Sequence, residues 1–497
     1  HTPALHRVLD RAVAYPGPAL RSLDADLTRR TSSKGLEMEE YMFSPEQREV
    51  LKPLAQGLPP IAMLSTSTMG GGSIAALNLH AGLLAAGLDV TLLTLVDNYP
   101  SVAAIRELPQ GARLYVSGVA MRAAVLRAYP AIKKVFPLFS VPRSPVRFMR
   151  EQLCEYGLLH LQWVTGMVDF SRTDPALLEK PILRTMHDME PFTGGCHYTG
   201  GCKKYRLGCA DCPQLGAPSV AGHDLAAQSF ARKARVWREC PTSLCAPCDW
   251  LAACARDGAL LRGAQPAVIP NCVDTTIFRP ELREEGRRRL GVAPDRTVVC
   301  FGAYGISERN KGSHLVIMAL NRLRRERKSA LPLLVVFGGG SLAGEWLPQG
   351  YECRQLGPLK DRRALAAVYA ASDLFLCPSF QDVAPLTALE AQACGTPCLG
   401  FRGTGVEEEV VDGITGFVAR HPGLPLDDDG KILQDPPYAV PEAALADMVE
   451  KLQHALELSE DERKQMRYAC RARAEEKFSI FRHTRDYLAL YRTVLGL

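Results

Sequence analysis

Asp382 and Glu390 stand eight residues apart with Pro385 between them, in the stretch LCPSFQDVAPLTALEAQACGTPCLGF from Leu376 to Phe401. Two carboxylates at that spacing can divide one ligand between them. Glu390 can take two vicinal hydroxyls, such as those of a ribose, in a bidentate grip. If a helix starts at Pro385, the free backbone amides of Leu386 and Thr387 favour a phosphate. Asp382 then faces whatever that phosphate carries. A plainer reading competes: an acid that complements a helix dipole, plus an ordinary loop aspartate.

The elements that must hold these groups can be read around them. DLFLCPS is a buried strand, Gly395 and Pro397 stop the helix, TPCLGF is the next strand, and Gly403 and Gly405 open another turn. Both carboxylates then lie at the mouth above a parallel sheet, where open α/β sheets bind ligands. Upstream, IAMLSTS from Ile61 reads as a strand, followed by Gly70-Gly71-Gly72, a helix from Ser73 to Ala86 and the strand LDVTLLTL. Backbone amides in such a glycine loop can approach a phosphate without Cβ obstruction. Gly70, Gly72 and Ala75, and again Gly338, Gly340 and Ala343, satisfy the loose G-x-G-x-x-A fingerprint. A tight turn before a helix explains such glycines equally well. KPILRTMHDMEPFTGG is a strand running into a loop with His187 and Asp188, and TVVCFGAYG is a strand leading to Glu308, Arg309 and Lys311.

Cys196, Cys202, Cys209 and Cys212 follow a C-x5-C-x6-C-x2-C pattern. In a chain with 16 cysteines, many of them single in apolar runs, that density points to a tetrahedral structural zinc site. Two disulfides, or four free thiols in a packed loop, are the alternatives.

The string from Leu376 to Phe417 resembles the donor-binding signature of the retaining glycosyltransferases of family four, which have the GT-B fold. The match runs through Asp382, Glu390, Gly395, Pro397, Gly405, Glu408, Val410 and Gly413. It continues in the His160 to Trp163 strand, the linker bearing Asn271, Asp274 and Phe278, and the pair Lys311-Gly312. The resemblance implies catalytic roles for His187, Asp382 and Lys311, the lysine holding a diphosphate. It implies donor contacts from Gly71, Gly72, Arg309, Lys311, Gly339, Leu359, Val383, Ala384, Leu386, Thr387 and Glu390, with Gly339 and Leu359 on turns around the nucleoside base. The run from His187 to Leu215 resembles an insertion common in one branch of the family. Gln162 stands where the family has a second His, which argues against a metal there, and Cys248 stands where Ser is usual. No D-x-D metal pair stands out and the family generally works without one, so no catalytic metal is expected.

The implied fold class is α/β: two Rossmann-like domains facing across a cleft, with an N-terminal helical extension. The expected division is an extension over 1–58, an acceptor domain over 59–279 with the Cys-rich insertion at 194–215, a nucleotide-sugar domain over 280–476, and a helix over 477–497 that crosses back to the first domain. The implied activity is a retaining hexosyltransferase that uses a nucleotide diphosphate sugar, UDP favoured and GDP possible, with a glycan or lipid-linked acceptor.

Composition is compatible with this. The 497 residues exceed one ordinary domain, and a net charge of +5 suits a mildly basic cleft without arguing for nucleic acid. No apolar run is long enough to span a membrane and no signal-peptide pattern opens the chain, so a cytoplasmic protein is expected. Basic residues interleaved with Phe136, Phe139 and Phe148 over 122–150 suggest peripheral contact at the inner face of the membrane, against the alternative of a solvated helical hairpin. Two other functions compete: an NAD-type oxidoreductase, from the glycine turns, and a non-catalytic GT-B scaffold that docks through the cysteine cluster.

Overall fold

The computed structural model describes residues 42–98, 102–108, 125–129, 139–140, 153–168, 179–216, 218, 223–306, 308–326, 330–342, 347–423 and 440–497. Most of the expected helical extension over 1–58, most of the basic and aromatic run at 122–150, and residues 424–439 lie outside them. The first domain opens with helix α1 (Pro45–Ala55), whose N-cap Ser44 exchanges hydrogen bonds with Gln47 in a capping box. Strand β1 (Ile61–Ser67) runs into α2 (Gly71–Ala85), followed by β2 (Val90–Val96), β3 (Ile105–Glu107), β4 (Leu158–Leu161) and β5 (Ile182–Thr185). Then come α3 (Leu225–Glu239), β6 (Ser243–Ala246), α4 (Asp249–Asp257) and β7 (Ala267–Val268).

The second domain follows with α5 (Arg283–Arg289), β8 (Val298–Gly305), α6 (Ser313–Glu326), β9 (Leu333–Gly339), β10 (Cys353–Gly357) and α7 (Arg362–Ala371). It continues with β11 (Leu374–Cys377), α8 (Leu386–Ala393), β12 (Cys398–Phe401), α9 (Gly405–Glu409) and β13 (Gly416–Ala419). Three helices close the chain: α10 (Glu442–Glu457), α11 (Glu460–Phe478) and α12 (Ile480–Leu495).

Continuous apolar runs such as IAML and LLVVF make strands buried on both faces, and such strands belong in parallel sheets covered by helices. Every pairing between the named strands is parallel. The orders are β3-β2-β1-β4-β5-β6-β7 and β10-β9-β8-β11-β12-β13. In each sheet the chain order reverses beside the first strand, between β1 and β4 and between β8 and β11. Loops leaving those strands diverge there and open a crevice. This is the doubly wound α/β architecture of two Rossmann-like domains.

The last helix crosses back as expected. Tyr487, Leu488 and Tyr491 of α12 sit in one core with Met63, Leu79 and Leu83 of the first domain. α2 and α12 touch at Gly82, where a Cβ would meet the Thr484 hydroxyl at 2.1 Å. Ser479 caps α12 and separates it from α11, so the run starting at Phe478 is not one helix. Helix α2 also starts earlier than Ser73, because Gly70, at φ 94°, makes the turn and leaves Gly71 helical. Gly405 opens α9 rather than a turn, packed so closely that an added Cβ would lie 1.5 Å from the Val383 carbonyl oxygen. Among the described residues no helix is long and apolar enough to cross a membrane.

Candidate active site

In the second domain the loops after β8 and β11 carry the charge. Lys311 Nζ donates to Asp382 Oδ2 at 2.7 Å, with the aspartate buried and the lysine a quarter exposed. Burial pulls against the lysine's charge, but the adjoining Asp382 carboxylate prevails and holds the ammonium above its usual pKa. The loops are also joined through backbone: Gln381 N donates to Asn310 Oδ1 at 3.1 Å and Phe380 N to the Asn310 carbonyl at 2.8 Å. Glu308, the next acid, is raised by burial and by Asp382.

Pro385 is the N-cap of α8, so the amides of Leu386 and Thr387 stand at its first turn, where no backbone carbonyl precedes them in the helix. Glu390 lies one turn on, within 3.3 Å of the Tyr369 hydroxyl. Burial raises its pKa to about 7 against the pull of Arg362 and Tyr369. A carboxyl poised there is neutral or charged according to what docks against it.

The first domain contributes a different chemistry. Gly72, in the first turn of α2, faces His187 so closely that a Cβ would lie 3.0 Å from the ring. His187 Nε2 meets Gln162 Oε1 at 2.7 Å, so that nitrogen carries the proton and Nδ1 is the acceptor. Burial lowers His187 to about 4, and the ring is neutral near pH 7. Gln162 Nε2 in turn reaches His160 Nε2 at 3.0 Å. His160 bonds the Thr185 and Tyr491 hydroxyls at 2.8 and 2.7 Å. The histidine at the cleft is thus tied through Gln162 and His160 to helix α12.

Asp188 turns away from His187. It takes His197 Nδ1 at 2.6 Å, Trp163 Nε1 at 3.1 Å and the Glu190 amide at 2.8 Å. Burial opposes the charge on both members of the Asp188–His197 pair, yet their attraction wins, lowering Asp188 and raising His197.

Several contacts bridge the domains. The Gly200 amide donates to Gln381 Oε1 at 2.8 Å, and Asn271 Nδ2 donates to the Ala384 carbonyl at 3.1 Å. Val383 is buried in a first-domain cluster with Met186 and Met189, and Ala384 packs against it. Their side chains therefore serve the domain contact, and only their backbone remains for a ligand. Leu359 packs on the second domain's core. Gly339 ends β9, its carbonyl accepting from the Ile306 amide at 2.9 Å. The Arg309 side chain lies outside the described residues.

Four contributors escaped the sequence reading. Tyr198, between the cysteines, feels the charges of Asp382, Asp188 and Glu308, and burial together with them holds its phenol well above its usual range. Tyr369 contacts Glu390, and Gln162 orients His187. Glu408 takes the amides of Asp249 and Trp250 at 2.7 and 2.6 Å. Glu408 left a signal as a member of the quoted string and Gln162 as the residue in place of the family's second His, but their partners did not; that of Glu408 lies 159 residues away.

Residues 295–425 match the model of the glycosyl transferases group 1. The matched segment lies within the second domain. The GT-B fold extends over the described two-domain body. A sucrose-phosphate synthase from Thermosynechococcus elongatus superposes with a TM-score of 0.58 at 18% identity, over 88% of this chain and 99% of that one. HepE from Anabaena, solved with UDP-glucose, does so with a TM-score of 0.55 at 15% identity, over 88% and 100%. In sequence, a D-inositol 3-phosphate glycosyltransferase of Kribbella flavida is 26% identical over 394 residues, covering 74% of this chain and 82% of that protein. One from Actinosynnema mirum is 38% identical over 178 residues, covering 32% and 42%. The Lys311–Asp382 pair and Glu390 all fall within the matched group 1 segment.

Proposed function

We propose that the protein transfers a sugar from a nucleotide diphosphate sugar to a glycan or lipid-linked acceptor, with retention of anomeric configuration. UDP is favoured as the nucleotide and GDP is the alternative. The observation that carries this reading is the pairing of Lys311 with Asp382 at the crevice of a domain that matches the group 1 glycosyltransferases. The leaving group is a diphosphate whose charge grows as the glycosidic bond breaks, so a preorganised cation and free helix amides act most strongly at the transition state. Lys311 and the amides of Leu386 and Thr387 supply these. Gly71 and Gly72 bring further amides from the other side.

Glu390 would grip the ribose diol, giving up its proton as the hydroxyls bind. Asp382 would face the sugar once Lys311 turns to the diphosphate, with the neutral His187 offering Nδ1 to a sugar hydroxyl. The similarity to D-inositol 3-phosphate glycosyltransferases and to a fold solved with UDP-glucose supports a hexose donor. The reading needs no catalytic metal, and transfer should persist in chelator.

Incubation with a panel of UDP- and GDP-sugars tests it, with release of the nucleoside diphosphate and the anomeric configuration of the product as readouts. Hydrolysis or transfer from one donor is expected. Binding of NADH with no affinity for UDP or GDP would replace it with the oxidoreductase reading. UDP binding without any turnover would leave the scaffold.

A further inference from the structure

Among the described residues the four cysteines of the insertion form a group of chemistry-bearing side chains that the transfer reaction does not use. We propose that Cys196, Cys202, Cys209 and Cys212 together hold one structural zinc ion. All four line a single pocket, although they come from different turns of the loop. None is in a disulfide.

The backbone around them is shaped for sulfur ligands. The amides of Gln214 and Leu215 donate toward Cys212, and the Gly194 amide donates toward Cys209, so backbone dipoles already face two sulfurs. Asp211, between Cys209 and Cys212, holds φ 47°, a left-handed turn uncommon outside glycine. Gly200 and Gly201 hold φ 60° and 86° just ahead of Cys202. Lys204 lines the same pocket and clamps the turn by donating to the Ala210 and Asp211 carbonyls at 3.0 and 2.7 Å. Its cation would offset the net negative charge of zinc bound by four thiolates.

Soft thiolates in a tetrahedral set are the donors zinc takes in structural sites. Among the described residues no group of three or more His, Cys, Asp or Glu side chains is arranged to hold a metal ion, so the four sulfurs do not converge on one point as they stand. Binding would therefore pull them inward and release their protons to solvent. Disulfide pairing would serve the same loop differently, closing it covalently in two pairs and leaving no shared centre.

The site would act on the reaction at one remove. Between Cys196 and Cys202 lie His197, paired with Asp188, and Tyr198, which faces the acids of the second domain. Gly200, two residues before Cys202, donates to Gln381 beside Asp382. A zinc ion at the cysteines would pin both ends of that segment while touching neither donor nor acceptor.

The test is elemental analysis of the full chain, purified without chelator from zinc-supplemented medium, with X-ray absorption at the zinc edge. Stoichiometric zinc with four sulfurs at about 2.3 Å is expected. Cys212→Ser should lose the metal, and Cys353→Ser, in β10, should keep it. If Cys212→Ser does not fold, the absorption spectrum of the unaltered protein still decides. Absence of zinc, zinc with nitrogen or oxygen in its first shell, an iron chromophore, or disulfides among the four cysteines would each overturn the proposal. None of these readouts depends on which sugar is transferred, so failure here leaves the proposed function standing.

Discussion

The two sheets share a strand order, and both send loops from the point of reversal into one cleft, yet they arm those loops differently. The second domain presents charge: Lys311 against Asp382, and Glu390 poised at about 7. The first presents neutral polar groups, with His187 held near 4 and oriented through Gln162. Charge is needed where a diphosphate leaves. Uncharged donors and acceptors suffice where hydroxyls must be recognised, and they avoid the desolvation cost of an unpaired ion. One topology has thus been divided into an electrostatic half and a hydrogen-bonding half.

The hardest test of that division is Lys311→Ala. If the second domain supplies the charge that matters, turnover should fall by about 10²-fold or more, as when one donor is removed from an oxyanion hole. Donor affinity should fall less, because the diphosphate's charge grows only as the bond breaks. Steady-state rates with saturating donor make the measurement, and near-wild-type transfer would return Lys311 to a purely structural partnership with Asp382.

Glu390→Gln comes next. Loss of a charged grip on a diol should weaken donor binding by about 1.5–3 kcal/mol, read by calorimetry. The same variant carries a pH signature. A carboxyl raised from 4.5 to about 7 keeps its proton in the fold after the unfolded chain has lost it. Its contribution is therefore fully present below 4.5 and is lost as pH rises through about 7. In the absence of nucleotide, thermal stability of wild type relative to Glu390→Gln should decline across that window. A difference that stays flat would mean that Glu390 is already charged.

The neutral half can be broken by making it charged. Gln162→Glu sets a carboxylate against His187 and should lift the ring back toward the ordinary histidine value of about 6.5. Turnover should then acquire a limb near that pH that wild type lacks, while burial of the new carboxylate and loss of the amide bond to His160 lower thermal stability. A profile identical to wild type would show that the protonation of His187 is immaterial.

These residues differ in how visible they were before the structure. Asp382, Glu390 and Lys311 sit on strand–loop–helix units whose apolar runs, proline and glycines are contiguous in the chain, so spacing pointed to the two acids and the family resemblance to Lys311. The doubly wound sheets were legible for the same reason. Gln162, Tyr198 and the cap made by Glu408 were not, since each depends on a partner from another segment. Gln162 meets His187 across 25 residues, and Gly200 meets Gln381 across 181. Val383 and Ala384 show the reverse case. Their place in a binding string suggested ligand contact, and the string gave no sign that their side chains also pack against Met186 and Met189 of the first domain.

The smallest expected effect concerns how the halves are held together. Helix α4 of the first domain has Cys248 at its N-cap and no side-chain cap bond of its own. Glu408, from α9 of the second domain, accepts the Asp249 and Trp250 amides in its place. A helix start thereby becomes a contact between domains, as a carboxylate at the positive end of a helix dipole. Glu408→Ala should cost about 1 kcal/mol, the usual loss of a cap, and should appear as looser domain closure more than as unfolding. Small-angle scattering should show a larger radius of gyration, and KM for the donor should rise a few-fold while kcat holds. Cys248→Ser supplies the complementary test. A serine can cap α4 from within the first domain, competing with Glu408, so this variant should also loosen closure while making the helix itself no less stable. If both variants leave the radius unchanged, the Glu408 cap plays no part in holding the domains together.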